Sequence, residues 1–379
     1  MKIKQMALEA KRWLDVSVNE GFNPEKAQLV FAFGERKCLE ENKPYHFLRS
    51  LFPLAEIVIN STAGEIYHDK VNTETIIVTA VEFDKTSIRT KQVSIQNHLE
   101  STEVGFQLAE NLYSDDLTAI FIISDGAKVN GSQLIAALNE GITNQVPISG
   151  GLAGDEARFE KTLVGLNQNP ESGNIVGIGF YGKNLKVGHG TMGGWEDFGP
   201  EREVTQSEYN VLYRIGDKSA LDIYKEYLGK YADKLPGAAL LFPLSMRFKE
   251  RNEPVVRTII SIDELNKSMT FAGDVPKGSL VRFMRANLDR VIDASTIAAQ
   301  NSLVSFENSP ELAILVSCVG RKLVMGQRTD EEVEAVREVF GDKTVMTGFY
   351  SYGEISPHNH STLCELHNQT MTITTYSEL

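Results

Sequence analysis

Cysteine is scarce. Cys38, Cys318 and Cys364 are an odd, scattered set in 379 residues, which excludes a disulfide framework and fits a reducing cytoplasm. Positive charge is also short, with 38 Lys and Arg against 51 Asp and Glu and a net charge of −13. That balance supplies neither the basic surface that neutralises nucleic-acid phosphates nor a polybasic membrane patch. Long hydrophobic runs are missing. Ala119–Ile123 and Leu312–Val316 are strand-length, far below the ~20 residues that cross a bilayer. The first ten residues lack the apolar segment of a secretion signal. The expectation is a cytoplasmic chain without nucleic-acid or membrane partners. A hydrophobic content of 42% over this length fills a core and leaves room for two domains.

What is present is repetition. Gln28–Phe33, Ala119–Ser124 and Leu312–Ser317 are apolar runs that stop at a glycine or shortly before one, the pattern of strands buried on both faces. A helical stretch follows each: Tyr45–Phe52 ended by Pro53, Ser132–Leu138, and Val333–Phe340 with Gly341 as its stop. Thr329-Asp-Glu-Glu332 reads as a capping box for the last. Each copy then reaches a second run ending in Gly and an acid: Gly64-Glu65, Gly154-Asp155 and Gly353-Glu354. From first glycine to last the copies span 30, 28 and 33 residues, the length of a strand–helix–strand module. Residues 1–27 read as an N-terminal amphipathic helix, with Ala7, Ala10, Trp13 and Leu14 at helical spacing. Ser172–Tyr181, Val187–Trp195, Ala238–Phe242, Val255–Ser261 and Leu280–Met284 make a β-rich middle, with a helix near Ser219–Leu228 and a break near residues 232–236. The fold class is α/β, with α+β as the alternative, in two domains.

Catalytic motifs are weak. No Gly-x-Ser-x-Gly elbow or phosphate-binding Gly-rich loop occurs. Asn130-Gly-Ser-Gln and Ser149-Gly-Gly151 are turns before they are anion cradles. Cys318 closes a buried run and reads as a small hydrophobe, with a Cys-dependent small-molecule enzyme as the outside alternative. Glu354, His358, His360, Cys364 and His367 are ligand-type side chains within fourteen residues, but their spacing matches no zinc motif. A haem needs one imidazole beside an apolar pocket, which leaves His189 and His367 as ligand candidates. The recurring carboxylates Glu65, Asp155 and Glu354 stand at strand ends, where α/β sheets form ligand crevices. Nothing local supplies a nucleophile with an oxyanion hole, so binding without catalysis is expected.

Several strings together resemble the FIST family, the F-box and intracellular signal transduction domain. They are Ser61-Thr-Ala-Gly-Glu-Ile66, Gly151-Leu-Ala-Gly-Asp155 and Gly194-Trp195, then Gly273-Asp-Val-Pro-Lys-Gly278 and Ser317-Cys-Val-Gly-Arg321. Gly348-Phe-Tyr-Ser-Tyr-Gly-Glu-Ile355 and His367-Asn-Gln-Thr370 complete the set. Lys218-Ser219 departs from it, standing where the family has a Pro. The resemblance places an N-terminal FIST domain at 28–218 and a C-terminal one at 219–379. It implies a sensor for small ligands, amino acids among those proposed, that signals in trans to a partner such as a histidine kinase or a cyclic-dinucleotide enzyme. Some stand-alone members of the family are haem nitric-oxide sensors that control a histidine kinase, which is the second reading. The expected site is a cleft near the domain interface. There Arg321 meets an anionic group, Glu354 and Asn368 fix a polar end at the Gly353 corner, and Cys318 and Phe349 form walls. Glu65 and Asp155 stand at the related corners.

Overall fold

In the computed structural model, which describes residues 1–142, 146–235, 237–248, 254–357 and 363–379, the repeats become three six-stranded sheets of one design. The first copy contains the hairpin β1 (Lys2–Glu9) and β2 (Arg12–Val18), then β3 (Leu29–Glu35), α1 (Arg36–Asn42), α2 (Tyr45–Leu51) and β4 (Glu56–Thr62). It closes with β5 (Glu65–Tyr67), β6 (Lys70–Asn72) and β7 (Ile76–Glu82). The second contains β8 (Ser87–Ser94), α3 (Ser101–Leu112), β9 (Leu117–Ser124), α4 (Gly131–Gly141), β10 (Ile148–Leu152), β11 (Val164–Leu166) and β12 (Asn174–Tyr181).

The third opens with β13 (Leu185–Met192) and is interrupted by a β-rich insert. The insert comprises β14 (Trp195–Glu208), β15 (Val211–Ile215), β16 (Lys218–Ser219), α5 (Ala220–Leu228) and β17 (Leu244–Arg247). It continues with β18 (Val255–Arg257), β19 (Ile259–Asp263), β20 (Ser268–Phe271) and β21 (Leu280–Ala286). The third copy resumes with α6 (Leu288–Ser302), β22 (Leu312–Cys318), α7 (Val319–Met325), α8 (Thr329–Phe340) and β23 (Val345–Ser351). It ends with β24 (Gly353–Pro357), β25 (Cys364–His367) and β26 (Met371–Glu378).

Each sheet is built on a parallel pair, β3 with β4, β9 with β10, and β22 with β23. An antiparallel strand, β7, β12 or β26, flanks the first member. Every residue of β3 and β22 is buried, as unbroken apolar runs require. The inner faces of the sheets share one core, to which Phe31, Phe33, Phe121, Ile178, Ile314 and Phe349 belong. Leu108, Leu134, Ala298 and Val336 hold helices α3, α4, α6 and α8 in a second core.

The three units interlock. After its second parallel strand each copy turns at its Gly–acid pair and leaves its own sheet. β5 pairs with β23, β24 with β10, and β11 with β4, so the exchange runs in a closed cycle. The corners themselves form a ring of hydrogen bonds: Ala63 N to Tyr350 O at 2.8 Å, Tyr352 N to Leu152 O at 3.1 Å, and Gly154 N to Ser61 O at 3.0 Å. A Cβ on Gly154 would stand 2.7 Å from the Ala63 nitrogen, so glycine is what lets the chains cross.

Four expectations are corrected. The segment read as an N-terminal helix is the β1–β2 hairpin, turned by Ala10 and Lys11 at φ 47° and 65°, the left-handed pair of a two-residue hairpin turn. Seven residues of β1 pair with β7, and that tertiary pairing overrides a helical spacing carried by four side chains. Ala238–Phe242 is not a strand; Gly237–Leu241 is a 3₁₀ turn. Thr329 does not cap α8, because Arg328 holds that position and Glu332 turns inward. The break expected at 232–236 falls inside the insert, Pro236 itself lying outside the described residues.

Among the described residues no helix is long and apolar enough to cross a membrane. The Gly188-His-Gly190 string proves to be a packing feature, since Cβ atoms there would stand 2.0 Å from Ser302 O and 2.1 Å from Ala298 O.

Candidate functional site

The three recurring acids are all fully buried, but they are satisfied in two different ways. Glu65 accepts hydrogen bonds from the hydroxyls of Thr62 and Thr75. Glu354 accepts from Ser351 Oγ at 2.7 Å, from Thr370 Oγ1 at 2.9 Å and from Thr370 N at 3.1 Å. Thr62 and Ser351 each precede their acid by three residues, and Thr75 and Thr370 each stand just before the returning strand. The two corners are therefore one device used twice. Burial pushes the Glu65 carboxyl up to about 8 and that of Glu354 up to about 7, the hydroxyl donors pulling the other way. Asp155 instead accepts from Arg36 Nε and Arg158 Nε, both at 2.8 Å.

The structure gathers several predicted site residues beside Glu354. Arg321 is fully buried, with Nε and Nη2 on Glu332 at 2.9 and 2.7 Å. Its remaining donors reach Gly193 O, Val291 O and Ser295 Oγ. Tyr350 and Ser317 also donate to Glu332, so the guanidinium meets a carboxylate of its own chain. Cys318 is buried, and desolvation, with Glu354 adding to it, raises its thiol far above the ordinary value. A thiol so placed is a poor nucleophile. Asn368 Nδ2 donates to His367 O, and its Oδ1 accepts from Thr258 N of the insert at 3.4 Å. Gly353 lies against it, its Cβ position 3.6 Å from Asn368 Nδ2. Phe349 packs on Phe33 with centroids 5.0 Å apart. Glu65 and Asp155 belong to the other two corners.

Histidine contributes less than its sequence clustering suggests. His367 Nε2 lies 3.0 Å from Ser356 O, and burial lowers the His189 pKa. His358 and His360 lie outside the described residues. Among the described residues no group of three or more His, Cys, Asp or Glu could hold a metal.

Open space lies one residue from Glu354's corner. A cavity of about 520 Å³ separates the repeat body from the insert. Its floor is the β9–α4 connection at Gly126 and Asn130, together with Leu152 at the end of β10. This is the carboxyl end of a parallel pair, where open α/β sheets hold their ligands. One wall is Tyr352 with Phe159 stacked on it at 4.4 Å. The roof is the β14–β15 hairpin at Tyr209 and Asn210, with Phe271 behind it. None of the eight predicted binding residues lines this cavity, nor do His189 and His367. Reasoning from the sequence missed Tyr352 while naming its neighbours Gly353 and Glu354.

The insert is tied down around the cavity. Asn130 Nδ2 donates to Asp274 Oδ1 at 2.9 Å. Gln369 Nε2 donates to Leu240 O, and Trp195 Nε1 to Gln369 O. Asn368 and Gln369 thus hold the insert, and Thr370, next in the chain, holds Glu354.

Comparison with known proteins gives a consistent picture. An uncharacterized protein of Methanocaldococcus jannaschii is 23% identical over 325 residues, covering 77% of this chain. The chain spans about 60% of the length of that curated relative. A crystal structure of cyanuric acid hydrolase from A. caulinodans superposes with a TM-score of 0.39 at 8% identity, covering 94% of this chain and 91% of that one. A likeness so loose carries no chemistry across. Residues 28–218 match the FIST N domain and residues 220–357 the FIST C domain, the boundary falling between β16 and α5 inside the insert. With both domains in order over most of its length, the chain belongs to the FIST family, whose domains are signal-transduction sensors that bind small ligands.

Proposed function

We propose that this chain is a cytoplasmic, non-enzymatic sensor that binds a small amino-acid-like ligand in the cavity between the repeat body and the insert. The observation that carries the reading is the cavity itself. It has room for a metabolite, an apolar and aromatic lining, and a position at the carboxyl ends of β9 and β10.

Occupancy has a route outward. Tyr352 stands on the wall, and two residues on, Glu354 holds Thr370. Asn368 and Gln369 in turn hold the insert. A ligand that touches both Tyr352 and the β14–β15 hairpin favours one docking of the insert over others. The surface so presented would engage a partner in trans, a histidine kinase or a cyclic-dinucleotide enzyme.

Calorimetric titration of a panel of amino acids and their decarboxylated relatives tests the site. Binding is expected for at least one, weakened about tenfold or more by Tyr352→Ala, which removes an aromatic wall. Tyr209→Ala, at a residue 59% exposed, gives the same direction without a folding risk. Unchanged affinity in both variants would remove the site. A Soret band in the freshly purified protein would replace this reading by the haem nitric-oxide one.

A further inference from the structure

We infer that the ligand of the interface cavity is an organic amine, recognised through its ammonium group by aromatic rings and a carboxylate. The inference rests on the cavity reading above and adds the chemistry of the ligand. Its first support is the fate of the donors on the cavity floor. The β9–α4 loop is where backbone N–H groups at a strand end would otherwise hold an anion. Here they are already spent. Gly126 N donates to Thr162 Oγ1 at 2.9 Å, and Ala127 N to Asp125 Oδ1 at 2.8 Å. Lys128 N reaches the same Asp125 oxygen at 2.7 Å. Asp125 is fully buried and puts a carboxylate where a ligand carboxylate or phosphate would have to sit.

The second support is the side-chain inventory. Among the described residues no lysine or arginine lines the cavity, whereas His98 and Glu208 do, both exposed at its rim. Asn130 is already engaged within the chain, its Oδ1 accepting from Gln133 N and its Nδ2 donating to Asp274 Oδ1. Asn210 spends one N–H of its Nδ2 on Phe271 O, and its carbonyl oxygen adds an acceptor to the lining. The remaining surface includes the rings of His98, Phe159, Tyr209 and Tyr352. Rings, acceptors and one carboxylate, with no lysine or arginine among the described lining residues, are what an ammonium selects. An amino-acid-like ligand would therefore be held by its ammonium end, and a ligand with a carboxylate alone would enter with its charge unpaired.

Probes that share a ring and differ in charge separate the outcomes: tyramine, tyrosine and 3-(4-hydroxyphenyl)propionate, with histamine, agmatine and choline as further amines. At least one amine is expected to bind and to raise the melting temperature, while the propionate does neither. Glu208→Gln should weaken that amine about fivefold or more, and Tyr352→Ala should weaken it as well. Equal or tighter binding of the propionate, silence of every amine, or an amine affinity untouched by Glu208→Gln would overturn the inference. If the propionate binds and loses affinity in Tyr352→Ala, the amine assignment fails while the cavity remains the site. If an amine binds and neither Tyr352→Ala nor Tyr209→Ala weakens it, the cavity reading fails with it.

Discussion

The corners at Glu354 and Asp155 hold the same place in two copies of one unit, and both carboxyls are fully buried. One is closed by hydroxyls and a backbone amide, the other by two guanidinium groups. Burial penalises a lone charge, and a chain can answer by supplying a cation or by letting the group keep its proton. This molecule does both. The copies also differ in what lies above them. At the third, Gln369 and Trp195 knit the insert down over the corner. At the second, the insert spans a cavity. At the first, a cleft of about 840 Å³ is lined by Glu35, Cys38, Thr75 and Arg158 and by none of the described residues of the insert. Repetition supplies the scaffold, and the insertion decides which copy encloses a ligand-sized space.

If cation closure and hydroxyl closure are different in kind, removing a cation must cost more than removing a hydroxyl. The extreme case is the Arg321–Glu332 pair, in which both side chains are fully buried. Arg321→Met strands Glu332 and is expected to cost about 3–5 kcal/mol in denaturant unfolding at pH 7. Arg321→Met with Glu332→Leu should recover much of that loss. A single variant as stable as the wild type would erase the distinction.

Next in size is the Asp155 corner. Arg36 and Arg158 are 14% and 27% exposed, so water replaces part of what they provide. Arg36→Ala is expected to cost about 1–3 kcal/mol. Thr370→Val removes one hydroxyl donor from Glu354 and should cost about 1 kcal/mol. Finding Thr370→Val the worse of the two would reverse the ranking.

The sequence made the repeat legible and left its consequences hidden. The apolar runs ending near glycine and the Gly–acid pairs marked every parallel strand pair, because strands buried on both faces must be written that way. Neither the cyclic exchange of β5, β24 and β11 nor the partner of Arg321 could be read. Both depend on residues far apart in the chain; Glu332 looked like half of a helix cap until the fold turned it inward. The N-terminal hairpin was missed because short amphipathic stretches suit either period, and pairing with β7 decided the matter. Gly353 and Glu354 were expected in the site and do not line the cavity, whereas Tyr352 beside them does. Tyr352 stands at the bend between β23 and β24, where no periodicity in the sequence says which way a side chain looks.

The pH dependence is the most diagnostic effect, because its sign separates the two kinds of corner. Glu65 and Glu354 titrate near about 8 and about 7 in the folded chain, against about 4.3 for an unfolded glutamate. Between those values the folded state binds more protons than the unfolded one, so stability falls as pH rises through the window. Their stabilising contribution is complete below about pH 4 and lost by about pH 8. Glu378 works in the opposite sense. Its carboxylate is held down to about 2: burial works against this, and hydrogen bonds from the Thr86 hydroxyl and the Asp84, Lys85 and Thr86 amides prevail. What Glu378 contributes is lost only as pH falls through the acid range. The melting temperature should therefore decline from pH 5 to pH 9. Glu65→Gln with Glu354→Gln should flatten that slope and match or exceed the wild type at pH 9. Asp155→Asn, which leaves two guanidinium groups facing a neutral amide, should lower stability across the same range without changing its slope. Parallel pH profiles for the wild type and the double glutamine variant would show that the hydroxyl-closed corners carry charge after all, and that their difference from the Asp155 corner is one of partners alone.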